Sequence, residues 1–588
     1  MGQDIKFTQF DEQKLRPAYG ITCFPAFGVA SGGRRSTEFT YCRILPGQQT
    51  RDHAHYETEY FHIHSGRGLM VIDGHERPVT VGDLVHIPGF SQHFLRNLSQ
   101  EENLDFTSIY SQSPEIGDLP ANLLVTSAPP TPNGPLHLGH LSGPYLAADV
   151  ASRYMALRGV PSSHQTGTDD FQNYVSGETA EKFRQSILEG LSRASIETAT
   201  VTNPLKDQRY QKYVQSFFTA LREKKVIRKE KLALPFCGEC DRTLIDVHLS
   251  GKCAACGDTS SGACESCGIV TPAYKIVDPH CGRCGKAAST KEAEVYVFDL
   301  QSQLPHLESF HRELSKSNGK TADLLQRFTE NGFSPLVVTH PGDWGIPVPG
   351  EVNQVIHVWF EMAAGYALLR ENAQGDWVHT FGVDNSYYYL LMVPSLMKAF
   401  DPELRTYTSV IINEFLSLDG KKFSTSRDHA IWVNEFFEQE ESDAVRLYLA
   451  KVRPENGRSD FTLDGFRRFK SDEFRRFKLL LSTPETTAEV GGEVSHLSTS
   501  QKAFIHRLSL LTRELEAAYH PETFSLTRAY RILEDVLIQV ESMERDSQMH
   551  LIGKRVLAKL AFPLTPSLSS SYLKDKSPQW EKDVVLYV

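Results

Sequence analysis

The sequence predicts a multidomain chain: an N-terminal antiparallel β-barrel, an α/β nucleotide-binding domain interrupted by a cysteine-rich insert, and an α-helical C-terminal region. Three observations predict it. Residues 20–110 alternate apolar and polar side chains between Gly, Asp and Pro turns, the period-two texture of half-buried strands. A strand, a Gly/Pro-rich turn and a helix begin at Asn122, and C-x-x-C pairs then crowd residues 237–284. From about 433 onward the apolar spacing is helical.

Length and charge bound the answer. At roughly 150 residues per domain, the 588-residue chain has room for three to five domains. With 62 basic and 73 acidic side chains the net charge is −11, which argues against a broad grip on a polyanion. No apolar run approaches the roughly 20 residues a membrane helix needs. The start, MGQDIKFTQFDEQK, carries charges early and lacks an apolar core, so the expectation is a cytoplasmic protein without membrane contact or secretion signal. Ten cysteines are too sparse for a disulfide scaffold, and four C-x-x-C pairs read as metal in a reducing compartment. Cys23 and Cys42 stand apart from the pairs and read as buried or incidental thiols.

The elements follow in order. Alternation in Glu59–His64 and Gly68–Ile72, with no helical period, predicts the barrel or a sandwich over residues 1–113. Ser111–Pro120 reads as a linker. Asn122–Thr126 predicts a buried parallel strand, followed by a helix to about Leu157 that Gly159 closes. The α/β domain is expected over 121–235 and 291–432, split by the insert at 236–290. Its later strands are expected at VIHVWF (355–360) and VIINEFL (410–416). The helical region is expected over 433–588, with a loose polar loop at 483–500. FRRFK occurs at 466–470 and 474–478 and predicts one amphipathic helix with its phenylalanines inward.

The barrel carries candidate metal ligands. His53 and His55 point to one face of an extended chain, and Glu59 lies at even spacing from both. His93 follows Gly82 and Pro88 and precedes Asn97. Three imidazoles and a carboxylate can close around Zn, Fe, Mn or Ni. His62, His64 and His86 read as structural. The runs Gly47–His53–His55–Glu59–Gly66 and Gly82–Pro88–His93–Asn97 resemble the two motifs of the cupin family. The first agrees at every spacing, and the second departs where Phe90 replaces a glycine.

A second constellation is split along the chain. In Pro132–His140 (PNGPLHLGH) a turn opens a helix whose free N–H groups attract phosphate. His137 and His140 add donors, and Gly139 admits a flat ring. Gly420–Arg427 (GKKFSTSR) supplies a basic loop able to neutralise departing pyrophosphate. HLGH and KFSTS resemble the HIGH and KMSKS signatures of class I aminoacyl-tRNA synthetases, specifically the methionyl type, over about 121–480; Thr425 replaces the second lysine. The resemblance implies a Rossmann-type catalytic domain with a zinc-knuckle insertion, and ATP with Mg2+. It assigns ATP to His137, Gly139, His140, Gly382, Asp384, Lys422 and Ser424, with Gly382 and Asp384 on the ribose. His137, His140 and Lys422 would stabilise the pentavalent phosphorus. Asp169 would hold the amino group of the amino acid, beside Pro129 and Thr131, with Trp359 walling the side-chain pocket. It also implies two closed structural zinc sites. Cys253, Cys256, Cys264 and Cys267 would hold one, and Cys237, Cys240, Cys281 and Cys284 the other.

Three departures count against tRNA charging. The family's Leu-Pro-Tyr before the Asn-Gly turn is Pro129-Pro130-Thr131, and its His-Gly after the aspartate is Phe171-Gln172. The charge is −11 with no basic tail, and the helical C-terminal region is short for an anticodon-reading domain. A cupin preceding a methionyl-tRNA-synthetase-like module resembles the bacterial hydrazine synthetases of natural-product pathways. That resemblance implies small-molecule substrates: ATP, Nε-hydroxylysine from an upstream lysine N-hydroxylase, and an amino acid, with glycine the first expectation and glutamate or another polar residue next. It implies an ester in one module and, with zinc and Glu59 as ligand or base, an N–N bond in the other. Three alternatives stand beside it: a tRNA-charging enzyme with a sensor cupin, a non-catalytic relic, and an ester-forming enzyme with an iron dioxygenase cupin.

Overall fold

The computed structural model describes residues 10–573, apart from 19, 30–35, 54–58, 88–90, 113–118, 265–267, 318–319, 331, 424–428, 484–497 and 546. Residues 484–497 of the expected loop and most of the expected linker lie outside the described residues, and Thr499 and Ser500 at the loop's end already belong to a helix. Nine strands build the N-terminal part: Arg16–Ala18 (β1), Ile21–Val29 (β2), Ser36–Ile44 (β3), Glu59–Ser65 (β4), Arg67–Ile72 (β5), His75–Thr80 (β6), Leu84–Ile87 (β7), His93–Asn97 (β8) and Leu104–Gln112 (β9). They pair as a six-stranded sheet, β1-β2-β3-β9-β4-β7, and a three-stranded one, β6-β5-β8, antiparallel throughout. Alternation along β4 buries Glu59, Phe61 and Ile63 and exposes Tyr60, His62 and the far edge of His64. His62, His64 and His86 point outward. Gly66 turns β4 into β5 at φ +80°, where a Cβ would strike the Asn103 carbonyl oxygen at 2.4 Å.

The α/β part runs Leu123–Ser127 (β10), Leu146–Leu157 (α1), Ser162–Gly167 (β11), Gly177–Arg193 (α2), Thr200–Thr202 (β12), Gln208–Glu223 (α3), Ile227–Cys237 (β13), Ser289–Phe298 (β14), Val358–Glu371 (α4), Asp376–Gly382 (β15), Val393–Phe400 (α5) and Ser409–Asn413 (β16). Its sheet has the order β12-β11-β10-β15-β16, all parallel. All five residues of β10 are buried, as helices on both faces demand. The strand order reverses between β10 and β15, where a crevice opens beyond the carboxyl ends. β13 and β14 form a long antiparallel ladder from Ile227–Phe298 to Phe236–Ser289, and the cysteines lie in the excursion between them.

VIHVWF (355–360) is not a strand of this sheet. Gln354–Ile356 pairs with Thr339–Pro341 in a separate two-stranded ribbon, and the chain then turns into α4, with His357 capping its N-terminus. α4 is buried on most sides, so its apolar run carries no period that separates it from a buried strand. The parallel strand is instead β15, DWVHTFG. VIINEFL also breaks: β16 ends at Asn413, and a short strand, Leu416–Leu418, follows.

Ser442–Lys451 (α6), Leu463–Phe469 (α7), Arg475–Ser482 (α8), Thr499–Tyr519 (α9), Leu526–Glu541 (α10) and Gln548–Ala561 (α11) make the helical part. A π turn at Lys470–Phe474 joins α7 to α8. The wider turn returns the long step from Phe469 to Phe474 to one face, and Phe466, Phe469, Phe474 and Phe477 are all buried. No helix among the described residues is long and apolar enough to cross a membrane. Arg446 on α6 is fully buried and ties the parts together. It meets Asp149 of α1 at 2.6 Å and donates to the carbonyls of Ala194 (3.0 Å), Pro563 (2.7 Å) and Leu564 (3.0 Å). Arg446→Met should cost about 3 kcal/mol, because Asp149 loses a charged partner and three buried carbonyls lose their donor; urea denaturation reads the loss, and an unchanged midpoint would refute it.

Candidate functional site

The crevice beyond β10 and β15 is a cleft of about 430 Å3. Its floor is the turn into the helix that begins at Leu138. The His137 Nδ1 accepts from the His140 N–H, and the His140 Nδ1 accepts from the His137 N–H, each at 3.3 Å. This reciprocal cap places the ring proton of each neutral imidazole on Nε2, the atom left to offer a phosphate. The rings stack at 3.7 Å, and Phe423 stacks on His137 at 4.9 Å. Burial among protein atoms holds both imidazoles below the usual histidine range, His140 at about 4, although His140 still shows surface to the cleft. A Cβ at residue 139 would press on the His137 ring at 3.0 Å, which explains Gly139.

Asp169 stands at the other end. It is buried, and its Oδ2 accepts from Gln172 Nε2 (2.6 Å) and Thr131 Oγ1 (3.1 Å). Its Oδ1 is buried with no hydrogen-bond partner among the described residues. Desolvation lifts the carboxyl to about 7. An unpaired buried carboxyl oxygen is a ready acceptor for an ammonium group. Pro129, Thr131, Trp359, Gly382, Asp384 and Lys422 all line the same cleft, so the structure brings these expected residues together. Trp359 stacks on Tyr388 at 3.7 Å, nearly parallel. Lys422 lies over the Phe415 ring at 5.1 Å. Ser424 and Thr425 lie outside the described residues.

In the barrel, His53 and His93 sit side by side, bridged through their backbones, with ring centres 4.6 Å apart. The His53 Nδ1–H donates to the Arg51 carbonyl and the His93 Nδ1–H to the Ser91 carbonyl, each at 2.8 Å. Both rings thereby present Nε2 as the ligating atom. Glu59 Oε2 is 3.3 Å from His93 Nε2, and its other oxygen accepts from Ser108. Two imidazoles and a carboxylate suit a borderline divalent metal. His55, Pro88 and Phe90 lie outside the described residues. Cys23 and Cys42 are buried neighbours on β2 and β3, with sulfurs 3.3 Å apart.

In the insert, Cys237, Cys240, Cys281 and Cys284 bring their sulfurs within 4.8 Å of one another, and so do Cys253, Cys256 and Cys264. Zinc–sulfur bonds of about 2.3 Å in a tetrahedron separate sulfurs by about 3.8 Å. The Cys237–Cys284 and Cys240–Cys281 separations are 3.6 and 3.9 Å, and Cys256–Cys264 is 3.5 Å. Both groups fit zinc, with the outer pairs in one and the inner pairs in the other; Cys267 lies outside the described residues.

Residues 123–474 match the model of class I (M) tRNA synthetases. The chain belongs to that family. Residues 40–110 match the cupin domain. The synthetase part is similar to methionine–tRNA ligases, 29% identical over 379 residues in Thermomicrobium roseum (59% of this chain, 65% of that one). It is 28% identical over 378 residues in Methanobrevibacter smithii (60% and 57%) and 29% over 388 in Pyrococcus furiosus (58% and 53%). The chain thus spans roughly half to two thirds of these relatives' lengths. The fold is that of Mycobacterium tuberculosis methionyl-tRNA synthetase in complex with methionyl-adenylate, with TM-score 0.62 and 15% identity over 79% of this chain and 96% of that one.

Within the synthetase module, sequence reasoning missed Phe423, Met362, Tyr389 and Asn413 as cleft residues. Phe423 adjoins Lys422 in the basic loop and could have been found there. The other three sit on α4, after β15 and at the end of β16, where only the fold turns them inward. Titrating thiols with a mercurial should release two zinc equivalents per chain from the insert, and one from Cys281→Ser; retention of both by the variant would refute the outer group.

Proposed function

We propose that this chain is an ATP-dependent ligase that joins Nε-hydroxylysine to an amino acid, glycine first, through an N–N bond. One observation carries the reading: a single chain holds both an adenylation cleft, with an unpaired buried Asp169 oxygen, and a His/His/Glu cup in the barrel. The cleft wall at Pro129–Thr131 also lacks the large apolar and aromatic residues of the methionyl type. The net charge of −11 and a small acyl acceptor agree.

In the cleft, Asp169 holds the ammonium of the amino acid. Its carboxylate attacks the α-phosphorus of ATP, and pyrophosphate leaves against His137 Nε2–H, His140 Nε2–H and Lys422. Gly382 and Asp384 hold the ribose. The hydroxylamine oxygen then attacks the acyl carbonyl and AMP leaves, giving an ester with a weak N–O bond. In the second step the amino acid's own amine attacks the ester nitrogen: the N–N bond forms, the N–O bond breaks, and the carboxylate takes the bonding pair. The five-membered arrangement of N, O, carbonyl carbon, Cα and amine makes this a problem of held geometry. His53, His55 and His93 would hold a metal, which when bound would supply Lewis acidity at the carboxylate. Glu59 would serve as fourth ligand or as the base that takes the ammonium proton. A lysine N-hydroxylase supplies the acceptor.

A second reading, transfer of the acyl group to tRNA, is favoured by the names of the relatives, all methionine–tRNA ligases. Mass spectrometry of ATP, Nε-hydroxylysine and each amino acid in turn separates the two. The expected result is a hydrazine product, lost in His53→Ala while pyrophosphate release persists. Rapid tRNA aminoacylation would select the second reading.

Asp169 binds an ammonium as a carboxylate, and burial raises its pKa to about 7. Amino-acid KM in ATP–pyrophosphate exchange should therefore fall as pH rises from 6 to 8. Asp169→Asn should raise KM at least tenfold and flatten that profile. A profile that stays sloped in the variant would exclude Asp169 as its source.

A further inference from the structure

The amino-acid end of the cleft has two walls from distant parts of the chain. One is the loop Asp169–Tyr174, with Asp169 and Gln172; the other is the first turn of α4, with Trp359 and Met362. Both are held by one short turn of the cysteine insert, Ile245–His248. On the first side, Asn173 Nδ2 donates to the Ile245 carbonyl at 2.9 Å, and His248 Nε2 lies 3.1 Å from the Asn173 carbonyl and 2.9 Å from the Arg242 guanidinium. On the second side, the His357 Nδ1 accepts from the Trp359 N–H at 3.3 Å and caps α4. Its proton is then on Nε2, which faces Asp246 Oδ2 at 3.3 Å. One imidazole thus links the insert to the backbone of the tryptophan that walls the cleft.

The turn is anchored rather than loose. Leu244 and Leu249 flank it and are buried with Cys237 and Cys281 in the insert's own small core. Asp246 adopts the left-handed backbone, φ +47°, which an aspartate enters at modest cost. The neighbouring His357 pulls its carboxyl below the usual range against the opposing effect of burial. Behind the link lies a small cavity of about 60 Å3 lined by Asp246, His340, His357 and Tyr388, the residue on which Trp359 stacks.

We propose that Ile245–His248 is a clasp that sets the spacing between the Asp169 loop and Trp359, with Asp246 and His357 as positioning residues. The proposal rests on the adenylation reading for its effect on substrate, and on geometry alone for its effect on the protein. Breaking the link lets α4's first turn shift against Asp169, so the amino acid suffers and ATP, held at the far end by His137 and His140, does not.

The test uses the full chain, zinc-loaded. Asp246→Ala should raise amino-acid KM in ATP–pyrophosphate exchange about tenfold with ATP KM unchanged. Asp246→Asn, which keeps an acceptor for His357, should restore most of it. His357→Asn keeps a helix cap but cannot reach Asp246, and should match Asp246→Ala. The double variant should be no worse than either single one. Additive losses, or equal rises in ATP KM, would overturn the clasp. Hydrogen exchange gives a reading independent of activity: Asp246→Ala should speed exchange at 169–175 and 358–362 but not at 123–127, and unchanged exchange at both walls would overturn it. A wild-type chain with no exchange activity toward any amino acid would defeat the adenylation reading, leaving the hydrogen-exchange result to decide the clasp.

Discussion

Five parallel strands in register place their carboxyl ends along one edge, and the chemistry-bearing side chains of the cleft hang from or close to that edge. β10 leads into Pro129 and the histidine turn, β11 leads into Asp169, β15 ends at Gly382, and β16 ends at Asn413. Because strand direction is fixed by buried crossovers, no local change can move one of these groups to the opposite edge. Arg446 and the helices packed on α1 keep that sheet covered, and the long β13–β14 ladder carries the cysteine insert away from the sheet and back to it.

Burial sets ionisation at both ends of the cleft. At the His137–His140 end the surrounding protein lowers both imidazoles below the usual histidine range, and their reciprocal cap leaves the proton of each neutral ring on Nε2. At the other end it lifts the Asp169 carboxyl to about 7. In the barrel the tuning is by orientation: backbone carbonyls of Arg51 and Ser91 choose which nitrogen each histidine offers.

The local signals were legible. HLGH read as the start of a helix, and a helix does begin at Leu138 with His137 as its cap. The cysteine pairs read as metal ligands; the interleaved grouping came from the family resemblance, and the sulfur separations fit it. The alternation at Glu59–His64 read as a strand, and β4 spans Glu59–Ser65 with alternating burial. The reading of VIHVWF as a strand failed for a physical reason: a helix buried on most sides and a buried strand share one composition, and only packing tells them apart.

The sequence by itself determined which chemical groups the chain owns and which short spacings they keep, since side-chain alternation, capping and C-x-x-C geometry are properties of a few consecutive residues. Only the tertiary structure decided that Asp169, Trp359 and Lys422 share a cleft, that Phe423 stacks on His137, and that a turn of the cysteine insert touches both walls. Those contacts join residues tens to hundreds of positions apart. Their formation depends on strand order and helix packing, which no window of the sequence contains.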